Sequence, residues 1–228
     1  MCAIPETEDP SVYEEKDFKG SGFVEIVSGE LFEVSMQYPL LKMKNAEERC
    51  FVRKEVYERL IEAAGKLPGG YRFRILDAWR PFALQQELYE TYSEDIIREF
   101  ELENCTEEYR KEVIRRFVSE PVRNADIPPV HTTGGAVDLT VVKEDGKELD
   151  MGSGFDEFTD RTNTAFYEKH FDPEITANRR LLYSIMTGAG FTNLPSEWWH
   201  YDYGDRFWAF YKKRPAIYGG VFTKEELL

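Results

Sequence analysis

Apolar residues first recur at helical spacing between Arg53 and Lys66, where Val56, Leu60, Ile61 and Ala64 share a face and Leu67-Pro68-Gly69-Gly70 ends the run. From Tyr71 to Leu76 the period changes to two, with Tyr, Phe and Ile alternating with Arg, which predicts a half-buried strand. Asp77-Ala78-Trp79-Arg80-Pro81 closes that strand. Pro81 suits the first position of a helix, because its φ is already helical and its missing N–H would have had no partner there. The helix it opens is expected from Phe82 to about Glu101, on Leu84, Leu88, Ile96, Ile97 and Phe100, and a shorter one from Glu107 to Ser119.

A loop containing Pro121, Pro128 and Pro129 leads to a predicted strand, Ala136 to Lys143, and a turn at Glu144-Asp145-Gly146. Residues 150–165 have the Gly, Ser and Asp content of a loop, and a helix is expected from Glu174 to Ala189, stopped by Gly190. The last third turns aromatic. Trp198-Trp199-His200-Tyr201 and Phe207-Trp208-Ala209-Phe210-Tyr211 are expected as two strands around the Asp202–Asp205 turn. Strands and helices mix without a βαβ rhythm. The expected class is therefore α+β, a single domain with an antiparallel sheet and packed helices over residues 21–228, preceded by a loose acidic arm, 1–20.

Composition adds exclusions. The 228 residues are 42% hydrophobic and 14% aromatic, a globular balance, and 29 Lys and Arg against 43 Asp and Glu leave a net charge of −14. Phosphate backbones and anionic membrane surfaces would repel such a chain, so neither nucleic acid nor membrane insertion is expected. Cys2, Cys50 and Cys105 form no CxxC pair and no disulfide framework. No apolar run approaches the roughly 20 residues of a membrane span, and the first residues lack the basic and apolar regions of a secretory signal. A cytoplasmic protein is expected, with an exported lipoprotein anchored at Cys2 as the alternative. Oligomeric state is not legible.

Three histidines are few enough to weigh singly. His131 opens His131-Thr132-Thr133-Gly134-Gly135-Ala136-Val137-Asp138, and His200 closes Glu197-Trp198-Trp199-His200. His131, Asp138 and His200 together make a two-histidine, one-carboxylate set, the donor set of many catalytic zinc sites that keep a fourth position open. Zinc there would acidify water and polarise a carbonyl, and Glu197 could carry the proton. On residue types alone the set also fits polar positions that happen to flank two strands, Gly134-Gly135 an ordinary turn, and Glu197–Tyr201 an aromatic core strand. His170 has no partner at ligand spacing except Glu168 and reads as a bystander.

His131-x-x-Gly134-x-Ala136-x-Asp138 followed by Glu197-Trp198-Trp199-His200 resembles the metal signature of the zinc D-alanyl-D-alanine dipeptidases (VanX-type), within the group that includes D-Ala-D-Ala carboxypeptidases and the hedgehog domain. The resemblance extends over residues 38–205 through Asp77-x-x-Arg80-Pro81, Asp138-Leu139-Thr140, Met151-Gly152-Ser153-x-Phe155-Asp156, Asn178-Arg179-Arg180 and Ser184-Ile185-Met186. It implies one Zn2+ per chain on His131, Asp138 and His200, with Glu197 as catalytic base and Arg80 steadying the oxyanion. It also implies Asp156 as receiver of the substrate's amino group and Tyr38 as an active-site tyrosine. The implied activity is hydrolysis of the small dipeptide D-Ala-D-Ala, or a close D,D- or L,D-dipeptide. The alternatives are a zinc carboxypeptidase or endopeptidase on peptidoglycan stem peptides, and a non-catalytic zinc-containing binding module. One position departs: the family reads Ser-x-His at the first ligand where this chain has Pro129-Val130-His131, which bears on dipeptide preference rather than on the metal.

Overall fold

A computed structural model describes residues 1–227. The centre is a five-stranded sheet built on β4 (Tyr71–Asp77) and β5 (Ala136–Lys143). β2 (Phe32–Val34) pairs with the outer side of β4, and β7 (His200–Asp202) and β6 (Thr192–Asn193) follow β5, giving the order β2-β4-β5-β7-β6. All pairs are antiparallel except β2 with β4, which is parallel. β1 (Phe23–Ile26) and β3 (Cys50–Arg53) form a separate antiparallel pair. This is the expected α+β single domain, with one parallel pair added.

Chemistry and burial explain the centre. Every residue of β5 from Ala136 to Val142 is buried, as befits a strand covered on both faces. In β4 the alternation is real: Phe73 and Ile75 lie in the core, while Arg72 and Arg74 pair with Glu33 beside them on β2. Against this sheet pack α2 (Lys54–Ala64), with Val56, Leu60 and Ala63 inward, and α6 (Pro173–Gly188), with Leu182, Ile185 and Met186 inward. α6 starts at Asp172, whose carboxylate accepts from the Glu174 and Ile175 N–H groups. α1 (Gln37–Leu40) lies against β4, while α3 (Phe82–Glu99) and α4 (Glu107–Ile114) share a smaller core around Ile96, Val113 and Val118. α5 (Phe166–Lys169) is a single turn ahead of α6.

One expected strand is a helix. Arg206–Lys212 forms α7, because the Asp205 carboxylate accepts from the N–H groups of Phe207 and Trp208 and so supplies an N-cap. Residues 1–20 hold no helix or strand beyond a bridge at Lys16 and lie along the domain. Ile4 is buried, the Ser196 N–H donates to Asp9, and the Asp17 N–H donates to the Ala216 carbonyl. Among the described residues no helix is long and apolar enough to cross a membrane.

Candidate active site

The site is one row across three strands. Asp138 on β5 lies opposite His200 on β7, so both side chains leave the sheet on one face. On the other side a register shift falls between Ile75 and Asp77, and it sets Asp77 opposite Asp138. The extra residue of this bulge turns Asp77 away from the core face that Phe73 and Ile75 follow. His131 comes from a 3-10 turn, Val130–Thr133, that ends in Gly134 at φ 72°. The double glycine is required here. A Cβ on Gly134 would meet the Phe23 ring at 2.3 Å, and one on Gly135 the Tyr203 carbonyl at 2.6 Å. Buried Arg53 fixes the same turn from β3, its Nε donating to the Thr133 carbonyl at 2.7 Å.

His131, Asp138 and His200 are all buried and their donor atoms converge. His131 Nε2 is 3.2 Å from His200 Nδ1 and 3.4 Å from Asp138 Oδ2, and His200 Nδ1 is 3.0 Å from Asp138 Oδ1. His131 Nδ1 lies 2.8 Å from the Ala78 carbonyl and must carry the proton, since a carbonyl only accepts. His200 Nε2 in turn donates to Asp202 at 2.8 Å. The outer nitrogen of each ring donates, so the inward nitrogens are the ones left to bind a cation beside the Asp138 carboxylate. Donor atoms of the three side chains all lie within 4.8 Å of one another, close enough to share one ion. The residues present fit a metal ion, and the two outer hydrogen bonds set each ring's tautomer and direction. Against the upward push of burial, His131 and His200 hold the Asp138 carboxyl well below the usual carboxylate range.

Arg80 approaches the same row. Its Nε donates to Asp77 at 2.9 Å, Nη1 to Gln85 at 2.7 Å and Nη2 to the Tyr38 hydroxyl at 3.1 Å, while Nη2 stands 3.7 Å from Asp138. The Arg80–Asp77 pair is buried rather than at the surface, and the acids around it outweigh the cost of burying the guanidinium, which stays charged. Tyr38, buried on α1, donates to Asp156 at 2.8 Å, and Tyr92 on α3 donates to the same carboxylate oxygen at 2.9 Å. Asp156 sits at φ 55°, a left-handed conformation uncommon outside glycine. Burial, with Asp138 adding to it, pushes the Asp156 carboxyl up to about 6 against the pull of Arg80 and the two hydroxyls. Glu197 lies 3.7 Å from His200 Nδ1 with a quarter of its side chain still open to the cavity. The enclosing walls push its carboxyl up to about 8, against the pull of His200.

All seven residues singled out from the sequence, Tyr38, Arg80, His131, Asp138, Asp156, Glu197 and His200, line one cavity of about 50 Å³. Pro129 is in its wall as well. His170 is elsewhere, stacked on Phe166 at 4.2 Å. Sequence reasoning missed Gln85, Tyr92 and Asp202. Asp202 carried a weak signal, two residues beyond a candidate ligand on a strand; Gln85 in the first turn of α3 and Tyr92 at its middle carried none.

A family model described as D-Ala-D-Ala dipeptidase matches residues 40–216. The chain belongs to the D-Ala-D-Ala dipeptidase family. It is 31% identical over 195 residues to a D-alanyl-D-alanine dipeptidase of Synechocystis, covering 75% of this chain and 78% of the relative. It is also 31% identical over 157 residues to a D-alanyl-D-alanine dipeptidase of Escherichia coli, covering 68% of each. As a member of this metallopeptidase family the chain is a hydrolase. Its His-Asp-His cluster is the one group of potential metal ligands found among the described residues.

Proposed function

We propose that this protein is a zinc dipeptidase that hydrolyses D-Ala-D-Ala, or a close D,D- or L,D-dipeptide, to free amino acids. The observation that carries the reading is the buried convergence of His131, Asp138 and His200, whose donor atoms all lie within 4.8 Å of one another, with Glu197 and Arg80 each 3.7 Å from one of its members. Zinc held by His131, Asp138 and His200 supplies a Lewis acid for the scissile carbonyl and lowers the pKa of water. Two imidazoles and one carboxylate favour it over oxygen-seeking ions such as magnesium.

The chain's own groups do the rest. Glu197 takes the proton of the attacking water and returns it to the departing amine, a role served by a carboxyl poised near neutral pH. Arg80 offers a guanidinium fixed by Asp77, Gln85 and Tyr38 to the oxygen that gains charge, so little reorganisation is needed as the transition state forms. Asp156 keeps one oxygen for the substrate's ammonium, because Tyr38 and Tyr92 both occupy the other. A peptide without a free amine would leave that carboxylate unmatched in an enclosed site, which disfavours stem peptides. Pro129 presents a ring and no hydroxyl or N–H to the cavity, so the leaving residue meets an apolar wall with Val130, Leu194 and Phe207.

The test is D-alanine release from D-Ala-D-Ala by purified protein, after chelation and after zinc is restored. Chelation should abolish release and zinc return it. Glu197→Gln should keep its zinc while losing about 10²–10⁴-fold in kcat. A zinc-loaded protein inert on D-Ala-D-Ala and on L,D-dipeptides would sink the reading.

A further inference from the structure

A second, wider groove lies on the far side of Asp156. It measures about 580 Å³ against about 50 Å³ for the cavity that holds the metal-ligand cluster. Tyr92 and Asp156 are the two residues that line both. These two side chains form the boundary the cavities share. The partition is braced from both sides. The Tyr92 and Tyr38 hydroxyls meet on one Asp156 oxygen, the Tyr92 ring packs edge-on against Phe158 with centroids 5.4 Å apart, and Tyr38 leans on Phe155 at 5.9 Å. Four acids line the groove beyond, Asp95, Glu148, Asp150 and Asp156, with Asp95 paired to Arg98 and Glu148 to Arg74.

The placement gives the partition a consequence for substrate length. On the dipeptidase reading Asp156 meets the ammonium of the first residue of a dipeptide, and the Tyr92 ring, bonded to the same carboxylate, lines both the cavity and the groove beside that point. We propose that the Tyr92 ring is the wall that limits this enzyme to dipeptides, and that the acidic groove is a dormant subsite for the N-terminal residues of longer D-Ala-D-Ala-ended peptides. This rests on the dipeptidase reading and extends it to what sets the length limit. With Asp95 and Glu148 paired to arginines and Asp156 at the ammonium, Asp150 is the carboxylate left to favour an extension with a cationic side chain or a free amine over an acidic one.

The experiment compares D-Ala-D-Ala with L-Lys-D-Ala-D-Ala and L-Glu-D-Ala-D-Ala. Wild type, Tyr92→Ala, Tyr92→Leu and Tyr92→Phe are assayed by D-alanine release, with melting temperature and zinc content measured on each protein. Wild type should favour the dipeptide at least 100-fold in kcat/KM. Tyr92→Ala should cut that preference at least tenfold through an absolute gain on the lysine tripeptide, with the glutamate tripeptide lagging. Tyr92→Leu, which keeps apolar bulk in the packing, should shift the same way if alanine fails to fold. Tyr92→Phe keeps the ring and loses only the bond to Asp156, so its dipeptide KM should rise while the tripeptides stay excluded. A folded, zinc-loaded Tyr92→Ala or Tyr92→Leu with no gain on either tripeptide overturns the proposal. So does a wild type that cleaves the lysine tripeptide as readily as the dipeptide, although the peptidase reading then stands. A zinc-loaded wild type inert on all three substrates overturns this proposal, and the dipeptidase reading falls with it when L,D-dipeptides are left intact as well.

Discussion

Asp156 concentrates several costs in one residue. Its backbone is left-handed, its carboxyl is enclosed, and one of its oxygens is committed to two tyrosines. Strain and desolvation together at one position mark a group kept for its chemistry rather than for stability. The pH dependence follows from its position. A carboxyl pushed up to about 6 in the folded protein, from the ordinary 3.8, holds its proton more tightly folded than unfolded. Its contribution to stability is therefore full below about pH 4 and lost as pH rises through about 6. Substrate binding has the opposite slope, since only the carboxylate pairs with an ammonium. In zinc-saturated assays KM for D-Ala-D-Ala should rise about tenfold per pH unit below 6. Asp156→Asn should have a KM that is high and flat from pH 5 to 8. An Asn variant with the wild-type KM, or a wild-type KM that stays level over that range, would remove Asp156 from amine binding.

At the scale of elements, the loop that carries Asp156 is held from a distance by α6. Buried Arg179 donates from Nε to the Met151 carbonyl at 2.7 Å, from Nη1 to Asn163 at 2.6 Å and from Nη2 to Arg161 at 2.6 Å. One guanidinium thus ties both ends of the segment between β5 and α5. Arg179→Ala should cost on the order of 1–3 kcal/mol for buried carbonyls left without donors. It should raise KM for the dipeptide several-fold while zinc content, set by the sheet and the His131 turn, stays at one per chain. Loss of zinc together with substrate affinity would mean that loop and metal cluster are one unit. The sequence could announce Arg179 only as a motif, because its partners are carbonyls of a loop with no periodicity. The same contrast runs through the fold. β5 was legible to the residue, since eight residues of nearly continuous burial flanked by a glycine pair and a turn leave one reading. Phe207–Tyr211 was not, since a short apolar run fits strand and helix alike and only the Asp205 cap distinguishes them. β1, β2 and β3, at three or four residues each, exist by pairing rather than by pattern. The ligands could be read because metal chemistry constrains residue type at each position. Tyr92 and Gln85 could not, because a helix face turned toward a cleft looks like one turned toward a core.

Over the whole molecule the excess of acid is not confined to the surface. Asp77, Asp138, Asp202 and Asp205 are buried, Arg80 donates to Asp77 and stands near Asp138, and Asp156 and Glu197 line the same cavity. Burial and the neighbouring Asp202 push the Asp205 carboxyl well up, against the pull of the N–H groups it caps at the start of α7. These acids converge on the buried centre where His131, Asp138 and His200 bring their donor atoms together. Binding of a dication to this centre must therefore be linked to folding, since the unfolded chain has no such assembly. With free metal about 1,000-fold above its dissociation constant the gain is about 4 kcal/mol. At about 2–4 °C per kcal/mol for a domain of this size, that is roughly 8–16 °C in melting temperature. Calorimetric scans of chelated protein, verified metal-free by elemental analysis, should show that drop, and stoichiometric zinc should restore it. Magnesium at the same concentration should not, because the two imidazole donors suit zinc and a hard oxygen-seeking ion gains little from them. Metal-free protein that melts where the zinc form does would show that the acids are balanced in some other way, and that the His-Asp-His cluster is not a metal site.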